Sequence, residues 1–192
     1  LLENDGSLAI NQTVDKFVRS SPPIEIAAYA PLNGLPELLD LAVTLALGEA
    51  RGELESIGVH HTATASPGGS GALFLAAANY ADRGSKVLLR DRHWGPYDGF
   101  LAGCGLGIAT YPLLNEAQCL DLPGLKDSLT NLAKSQSKVM SWLNDPAHNP
   151  TGLSLTASER MGVLRAFANV AMEYEDVGFT LLIDAAYHVY AC

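Results

Sequence analysis

Charged residues, cysteines and long apolar runs are all scarce in this chain of 192 residues. Its three cysteines, Cys104, Cys119 and Cys192, are too few and too scattered for a disulfide framework or a zinc site, and we expect no metal. No apolar run reaches the roughly 20 residues of a membrane-spanning helix. Acidic residues outnumber basic ones, 21 to 12, and the net charge of −9 argues against nucleic-acid or anionic-membrane partners. We therefore expect a cytoplasmic protein without membrane or nucleic-acid contacts.

The hydrophobic fraction, 48%, is that of a folded globular chain, and the length corresponds to one domain or slightly more. The chain begins in a polar stretch without the basic-then-apolar form of a signal peptide. It stops at "LLIDAAYHVYAC", directly after a strongly apolar run. Domains seldom end so close to a buried strand, so we expect the chain to be part of a longer protein.

Strand and helix patterns alternate along the chain, which predicts an α/β fold with a mainly parallel sheet and helices on both faces, in three layers. The predicted strands are "GVHHTATAS" (58–66), "KVLLR" (86–90), "IATYPLL" (108–114), "KVMSWLND" (138–145) and "FTLLID" (179–184). An amphipathic helix follows Leu35 and ends near Gly48, and a capping box of Thr156 and Glu159 opens another. In parallel sheets, ligands bind beyond the carboxyl ends of the strands.

The loop "PGGSGAL" follows the first predicted strand. Gly68, Gly69 and Gly71 allow a ligand to approach the backbone, Ser70 offers a hydroxyl, and the next helix presents free N–H groups, which together suit a phosphate. The segment has neither the G-K-[ST] of a P-loop nor the G-x-G-x-x-G spacing of a dinucleotide site. Taken alone, it could equally be a glycine-rich turn that opens a helix.

Three other strand ends carry residues suited to a flat heterocycle. Trp94 could stack on a ring or belong to the core. Asn149, in "AHNPTG", can donate a hydrogen bond to a phenolate-type oxygen. Asp184, in "DAAY", could pair with a protonated ring nitrogen, or simply cap the next turn. With the glycine loop, these residues describe a flat, phosphorylated pyridine with a phenolic oxygen, which is pyridoxal phosphate.

The motifs "AHNPTG" and "DAAY", supported by "GGSGAL" and "HWGPY", resemble the large domain of the class I/II aminotransferases, which are fold-type I enzymes dependent on pyridoxal phosphate. The similarity runs from "YAPLNGLPELL" to the C-terminus. It implies an N-terminal segment over residues 1–30 and an incomplete large cofactor-binding domain over 31–192. The rest of the large domain and a small domain would lie outside this chain.

The resemblance also implies roles for individual residues. Gly69, Ser70 and Gly71 would hold the phosphate, Trp94 would stack on the ring, Asn149 and Tyr187 would bond the phenolic oxygen, and Asp184 would keep the ring nitrogen protonated. Asp184 and Tyr187 would thereby also be catalytic. Tyr29 would reach the cofactor of a partner subunit, which implies a homodimer.

Two positions depart from the family pattern. Gly68 stands where many relatives carry a hydroxyl residue, so one phosphate contact would be lost. Tyr97 stands near the place of a histidine that supports the aspartate in many relatives, which would alter the ring electronics or the choice of substrate.

The family's mechanism needs a lysine that holds the cofactor as a Schiff base, and this lysine follows the D-x-x-Y motif. The chain ends before it, and "SQSK" only imitates its context, so we interpret Lys138 as a solvated loop lysine. We therefore expect an aminotransferase of amino acid metabolism and biosynthesis that acts on amino acids and 2-oxo acids, with this fragment inactive alone. A carbon–sulfur lyase and a non-catalytic, cofactor-binding regulatory domain remain alternatives, and a nicotinamide-dependent dehydrogenase is disfavoured.

Overall fold

The computed structural model describes residues 2–190, so Cys192 lies outside the described residues. The chain divides into two units, Leu1–Ala65 and Ser66–Cys192. The division that the sequence suggests after residue 30 concerns the family's domains and stays a prediction. Each unit is described separately below.

Helices dominate the N-terminal unit. They are α1 (Gln12–Ser20), α2 (Pro23–Ile26), α3 (Pro36–Leu47) and α4 (Ala50–Ser56). Asn11 caps α1, because its side chain accepts hydrogen bonds from the N–H groups of Thr13 and Val14. The helix predicted after Leu35 is confirmed as α3, which starts at Pro36 and ends before Gly48, whose φ is +54°.

The strand predicted over residues 58–66 is wrong. This segment has no regular secondary structure, and within residues 2–190 no strand pairs with it. Its backbone hydrogen bonds include one from the N–H of Val59 to the carbonyl of Leu54, at 3.0 Å, and one from the N–H of Ala65 to the carbonyl of Asn33, at 2.7 Å, and they form no ladder. β-branched residues favour extended backbone, but a strand also needs a neighbouring ladder, which composition does not reveal.

The second unit is built on a four-stranded sheet. Its strands are β1 (Lys86–Arg90), β2 (Gly107–Tyr111), β3 (Lys138–Asn144) and β4 (Gly178–Asp184), in the order β2-β1-β3-β4, and every pairing is parallel. The helices are α5 (Gly68–Tyr80), α6 (Pro96–Gly103), α7 (Leu122–Ala133) and α8 (Ala157–Glu173). The strand predicted over residues 108–114 corresponds to β2 and ends at Tyr111, because Pro112 lacks the N–H that a strand interior uses.

Two apolar clusters cover the two faces of the sheet. Along β1, Val87 and Leu89 belong to one cluster and Leu88 to the other, as the alternation of side chains in a strand requires. The first cluster includes side chains of α5 and α6, and the second includes side chains of α7 and α8. Each fully buried leucine contributes about 1.5–3 kcal/mol through removal from water. The predicted three-layer α/β fold is confirmed.

Two local signals help to place the elements around the sheet. The predicted capping box at α8 is confirmed: the side chain of Thr156 accepts from the N–H of Glu159, and the Glu159 carboxylate accepts from the N–H of Thr156. At the amino edge of the sheet, the side-chain amide of Gln136 accepts a hydrogen bond from the N–H of Lys86 and donates to the carbonyls of Lys86 and Lys138. It thereby links the starts of β1 and β3.

Among residues 2–190, no helix combines the length and apolar character needed to span a bilayer.

Candidate functional site

A cavity of about 200 Å³ lies at the carboxyl edge of the sheet. Six of the residues predicted from the sequence line it: Gly69, Ser70, Trp94, Asn149, Asp184 and Tyr187. They come from the start of α5 and from the loops that follow β1, β3 and β4. The parallel order of the strands thus brings together residues that lie far apart in the sequence.

The start of α5 supplies one wall of the cavity. Pro67 precedes the helix and offers no side-chain cap, so the first N–H groups of α5 lack a side-chain acceptor. A Cβ atom at Gly69 would meet nothing within 4 Å, whereas one at Gly71 would lie 2.5 Å from Cδ of Pro67. Gly69 therefore leaves open space beside the helix terminus, while Gly71, which does not line the cavity, is required for close packing against Pro67.

Trp94 lies in the loop between β1 and α6. Its ring meets that of Tyr97 edge to face, with the centroids 5.6 Å apart, and it also packs against Phe100 at 6.0 Å. Such edge-to-face contacts hold an aromatic ring in a defined orientation. The half-buried indole is thus held by two aromatic residues of α6 while it borders the cavity.

The loop that carries Asn149 is held by its own polar groups. Nδ1 of His148 lies 2.8 Å from Oγ1 of Thr151, and Gly152 completes the bend with a φ of +73°, a region that favours glycine. His148 is 2% exposed. Its burial, followed by the positive charge of Arg90, lowers the pKa of His148 below its ordinary value of 6.5, so the ring favours the neutral form.

Asp145 anchors the same loop to α8. Its Oδ1 accepts from the N–H of Leu155 at 2.8 Å, and its Oδ2 accepts from Nε of Arg160 at 2.7 Å. Asp145 is buried, so these partners compensate for the removal of its charge from water. The backbone between β3 and α8 is thereby fixed at both ends.

Asp184 is held by two donors at the end of β4. Oη of Tyr97 donates to its Oδ2 at 2.6 Å, and the N–H of Ala186 donates to its Oδ1 at 3.2 Å. Tyr97 is only 2% exposed. Burial, and then the adjacent Asp184, raise the pKa of Tyr97 well above its ordinary value, so the phenol stays a neutral donor.

Asn144 is a site residue that the sequence analysis did not single out. It ends β3, lines the cavity and bonds to the backbones of both Asn149 and Asp184. The only signal in the sequence was an amide residue at the end of an apolar strand. That signal carries little weight until the position of β4 is known.

Two other residues that the sequence analysis discussed are not among those that line the cavity. Tyr29 belongs to the N-terminal unit and is 88% exposed, and its contact with a partner subunit stays a prediction. Lys138 is the first residue of β3 rather than part of a loop, and its Nζ lies 2.7 Å from Oδ1 of Asp82. It therefore sits at the amino edge of the sheet, opposite the cavity.

In the described part of the chain, no cluster of three or more His, Cys, Asp or Glu side chains could hold a metal ion.

Solved structures share this fold. An aminotransferase from Anaerococcus prevotii superposes with a TM-score of 0.85 and 24% identity, covering 95% of this chain and 43% of that one. The cytoplasmic aspartate aminotransferase of Saccharomyces cerevisiae gives a TM-score of 0.72 and 24% identity, with the same coverage of 95% and 43%. At this level of identity, the likeness concerns the fold.

Similarity in sequence extends over most of the chain. The mitochondrial aspartate aminotransferase of Schizosaccharomyces pombe is 30% identical over 156 residues, which are 77% of this chain and 34% of that protein. The mitochondrial enzyme of Dictyostelium discoideum is 30% identical over 168 residues, which are 85% of this chain and 36% of that protein. This chain thus spans about a third of the length of these relatives. The family model "Aminotransferase class I and II" matches residues 6–192, and the chain belongs to that family.

Proposed function

We propose that this chain forms the pyridoxal-phosphate-binding part of an aminotransferase that transfers an amino group between an amino acid and a 2-oxo acid. Members of its family use this cofactor. The observation that carries the proposal is the convergence of Ser70, Trp94, Asn149 and Asp184 on one cavity. Because the chain spans about a third of the curated relatives, the claim for the chain itself is cofactor binding. Turnover is proposed for a protein of the relatives' length.

The wall formed by α5 suits the phosphate group. The uncapped N–H groups at the start of α5 and the Ser70 hydroxyl are hydrogen-bond donors, and the helix dipole contributes about 0.3–1 kcal/mol to binding of an anion. The open space at Gly69 allows the anion to approach the backbone. Gly68 has no hydroxyl to offer. We therefore assign phosphate binding to Gly69 and Ser70 and to the backbone that leads from them into Gly71.

The remaining walls suit a flat ring with a phenolic oxygen. Trp94 supports stacking on the ring. Nδ2 of Asn149 lies 3.3 Å from Oη of Tyr187, so the amide and the hydroxyl can donate to the same acceptor. The two donors thereby define one position for the phenolic oxygen.

Asp184 suits the ring nitrogen. An ionised carboxylate offers about four lone-pair sites, and the hydrogen bonds from Tyr97 and Ala186 occupy only two of them. A lone pair therefore remains for an N–H donor from the ring, and the negative charge favours the protonated nitrogen. Tyr97 would take the supporting role that the family resemblance implies for a histidine in many relatives.

Each residue then has a defined part in the reaction. Bound pyridoxal phosphate supplies an electron sink that stabilises a carbanion next to an amino group. Asp184 holds a proton on the ring nitrogen, and Tyr97 orients Asp184 without titrating near neutral pH. Asn149 and Tyr187 stabilise negative charge on the phenolic oxygen, and Trp94 holds the plane of the ring.

Names of the relatives favour transamination over the two alternatives, since the relatives are called aspartate or aromatic-amino-acid aminotransferases. We further propose a homodimer in which Tyr29 contacts the cofactor of the partner subunit, with neither nucleic acid nor membrane as partner. A cytoplasmic location is supported by two relatives described as cytoplasmic and by the small number of cysteines. We assign the protein to amino acid metabolism and biosynthesis.

Titration with pyridoxal phosphate tests the proposal. A Trp142→Phe variant leaves Trp94 as the only tryptophan, and we expect saturable quenching of its fluorescence with folding preserved by circular dichroism. Borohydride treatment and mass spectrometry would then show no single modified lysine. Trapping at Lys138 would contradict the assigned site. No binding, either by this chain or by the full reading frame that encodes it, would refute the proposed function.

A further inference from the structure

Asn144 connects the two strand ends that face the proposed ring site. It is the last residue of β3 and pairs in register with Asp184, the last residue of β4. Its Nδ2 donates to the backbone carbonyl of Asp184 at 2.9 Å, and its Oδ1 accepts from the backbone N–H of Asn149 at 2.7 Å. With 4% of its surface exposed, the side chain has little access to competing water.

These two partners determine the orientation of the amide. The N–H of Asn149 can only donate and the carbonyl of Asp184 can only accept, so the oxygen and nitrogen of Asn144 cannot be exchanged. The planar amide therefore holds a donor and an acceptor at a constant separation. Aspartate would keep only the acceptor, and leucine, which has a similar volume, would keep neither.

Other contacts hold the surrounding backbone. They do not replace the bridge that the Asn144 amide forms through its hydrogen bonds to Asn149 and Asp184. Asp145 fixes the loop to α8 through Arg160 and Leu155. The N–H of Asp145 also donates to the carbonyl of Asp184, at 3.1 Å, so β3 and β4 stay joined without the Asn144 amide. The backbone N–H of Asn149, in contrast, donates to the Asn144 side-chain oxygen. Removing that oxygen should release Asn149 while the strand pair and the α8 anchor persist.

We propose that Asn144 is a positioning residue that sets the distance between the donor to the phenolic oxygen, Asn149, and the partner of the ring nitrogen, Asp184. The inference rests on the proposed function, because both of these roles belong to a pyridoxal-type ligand. Asn144 acts through the backbones of its neighbours. It therefore affects the positions of the Asn149 and Asp184 side chains rather than the hydrogen-bonding groups that they carry.

Variants at Asn144 test the inference against a matched control. We would compare Asn144→Leu and Asn144→Asp with Ser141→Ala, which removes another buried hydrogen bond of β3, from Oγ of Ser141 to the carbonyl of Leu88 at 3.2 Å. Ser141→Ala should lower the melting temperature and leave the affinity for pyridoxal phosphate unchanged. Asn144→Leu should weaken binding about tenfold or more, and at saturation it should shift the absorption band that reports ionisation of the phenolic oxygen.

Asn144→Asp separates the two bonds. It keeps an acceptor for Asn149, so amide hydrogen exchange at Asn149 should stay slow in this variant and become fast in Asn144→Leu. Unchanged affinity and an unchanged spectrum in Asn144→Leu, with a lower melting temperature only, would overturn the positioning role.

The exchange experiment also separates the two proposals, because it needs no ligand. If the wild-type chain and its full reading frame fail to bind pyridoxal phosphate, the proposed function fails. The bridge itself is then judged by exchange alone: slow exchange at Asn149 in Asn144→Leu would refute it, and fast exchange would support it.

Discussion

Oη of Tyr97 lies 2.6 Å from Oδ2 of Asp184, which joins the start of α6 to the end of β4 across 87 residues of sequence. The bond is short, and the ring of its donor is buried and makes edge-to-face contacts with Trp94 and Trp142. A phenol in this place differs from an imidazole, because it remains a neutral donor over the whole physiological range of pH. The carboxylate that faces the cavity therefore has a partner whose charge does not vary.

The first prediction concerns alkaline pH. The folded-state pKa of Tyr97 is raised above its ordinary value of 10.0, so its stabilising contribution is complete below pH 10 and is lost as the pH rises further. We expect urea unfolding to show a steeper loss of stability above pH 10 in the wild type than in Tyr97→Phe. At neutral pH the same variant should be about 1–3 kcal/mol less stable, because Asp184 loses a donor.

Tyr80→Phe is the control for this experiment, since Tyr80 is exposed at the end of α5. It should follow the wild-type profile. Identical alkaline profiles for Tyr97→Phe and the wild type would contradict the raised pKa.

The second prediction tests the charge on Asp184. Asp184→Asn keeps the size of the side chain but removes the negative charge, so the protonated ring nitrogen loses its counter-ion. We expect pyridoxal phosphate to bind about tenfold more weakly or worse, as measured by fluorescence titration, and turnover to be abolished in the protein of full family length. Asp82→Asn, which removes a carboxylate at the opposite edge of the sheet, should leave affinity unchanged. Wild-type affinity and activity in Asp184→Asn would rule out the assignment.

The third prediction concerns acid pH and His148. Its folded-state pKa lies below 6.5, so the unfolded chain takes up a proton first as the pH falls. The stabilising contribution of neutral His148 is present above pH 6.5 and is lost as the pH falls from there through the folded-state pKa. The positive charge of Arg90, the imidazole of His93 and the negative charge of Asp145 face the ring, and burial is the largest cause of the lowered pKa.

Thermal melts between pH 5 and pH 8 measure this effect. His148→Gln should lower stability at pH 8 and flatten the decline below pH 6.5. His60→Gln, at an exposed position of the N-terminal unit, should retain the wild-type decline. A decline of equal slope in His148→Gln and the wild type would assign the acid sensitivity to other groups.

The fourth prediction distinguishes two glycines in the first turn of α5. Gly71→Ala would place a Cβ atom 2.5 Å from Cδ of Pro67, and we expect a loss of about 1–3 kcal/mol in the free energy of unfolding from overpacking. Gly69→Ala meets no atom within 4 Å and should leave stability nearly unchanged, but it should weaken binding of the phosphate group. Urea unfolding and ligand titration of both variants check this. Equal effects of the two variants on both measurements would contradict the separate roles.

The sequence predicted the three-layer fold because strands buried on both faces, such as "KVLLR", appear as continuous apolar runs between helical patterns. It also predicted six of the residues that line the cavity, and four of these, Trp94, Asn149, Asp184 and Tyr187, lie at or soon after the ends of β1, β3 and β4. The segment over residues 58–66 was predicted wrongly, because its composition reports a backbone preference and not the presence of a neighbouring strand. Helix propensity and capping, in contrast, depend on local sequence, and α3 and α8 were predicted correctly.

The role of Asn144 could not be predicted from the sequence, for a different reason. Its importance follows from a hydrogen bond to a residue 40 positions away and from the register of β3 with β4. The bond between Tyr97 and Asp184 was expected only in outline, through the family resemblance. Tyr29 stays a prediction, since its proposed contact lies on another subunit.

The register of β3 against β4 has a consequence for folding errors. Lys138 is opposite Gly178 at one end and Asn144 is opposite Asp184 at the other. A slip of one residue between these strands would turn every side chain of β4 to the opposite face. Asp184 would then point away from the cavity while much of the backbone ladder could re-form. A misregistered molecule could thus look folded by circular dichroism yet bind no ligand, so ligand binding reports the alignment of these strands more sensitively than secondary-structure content does.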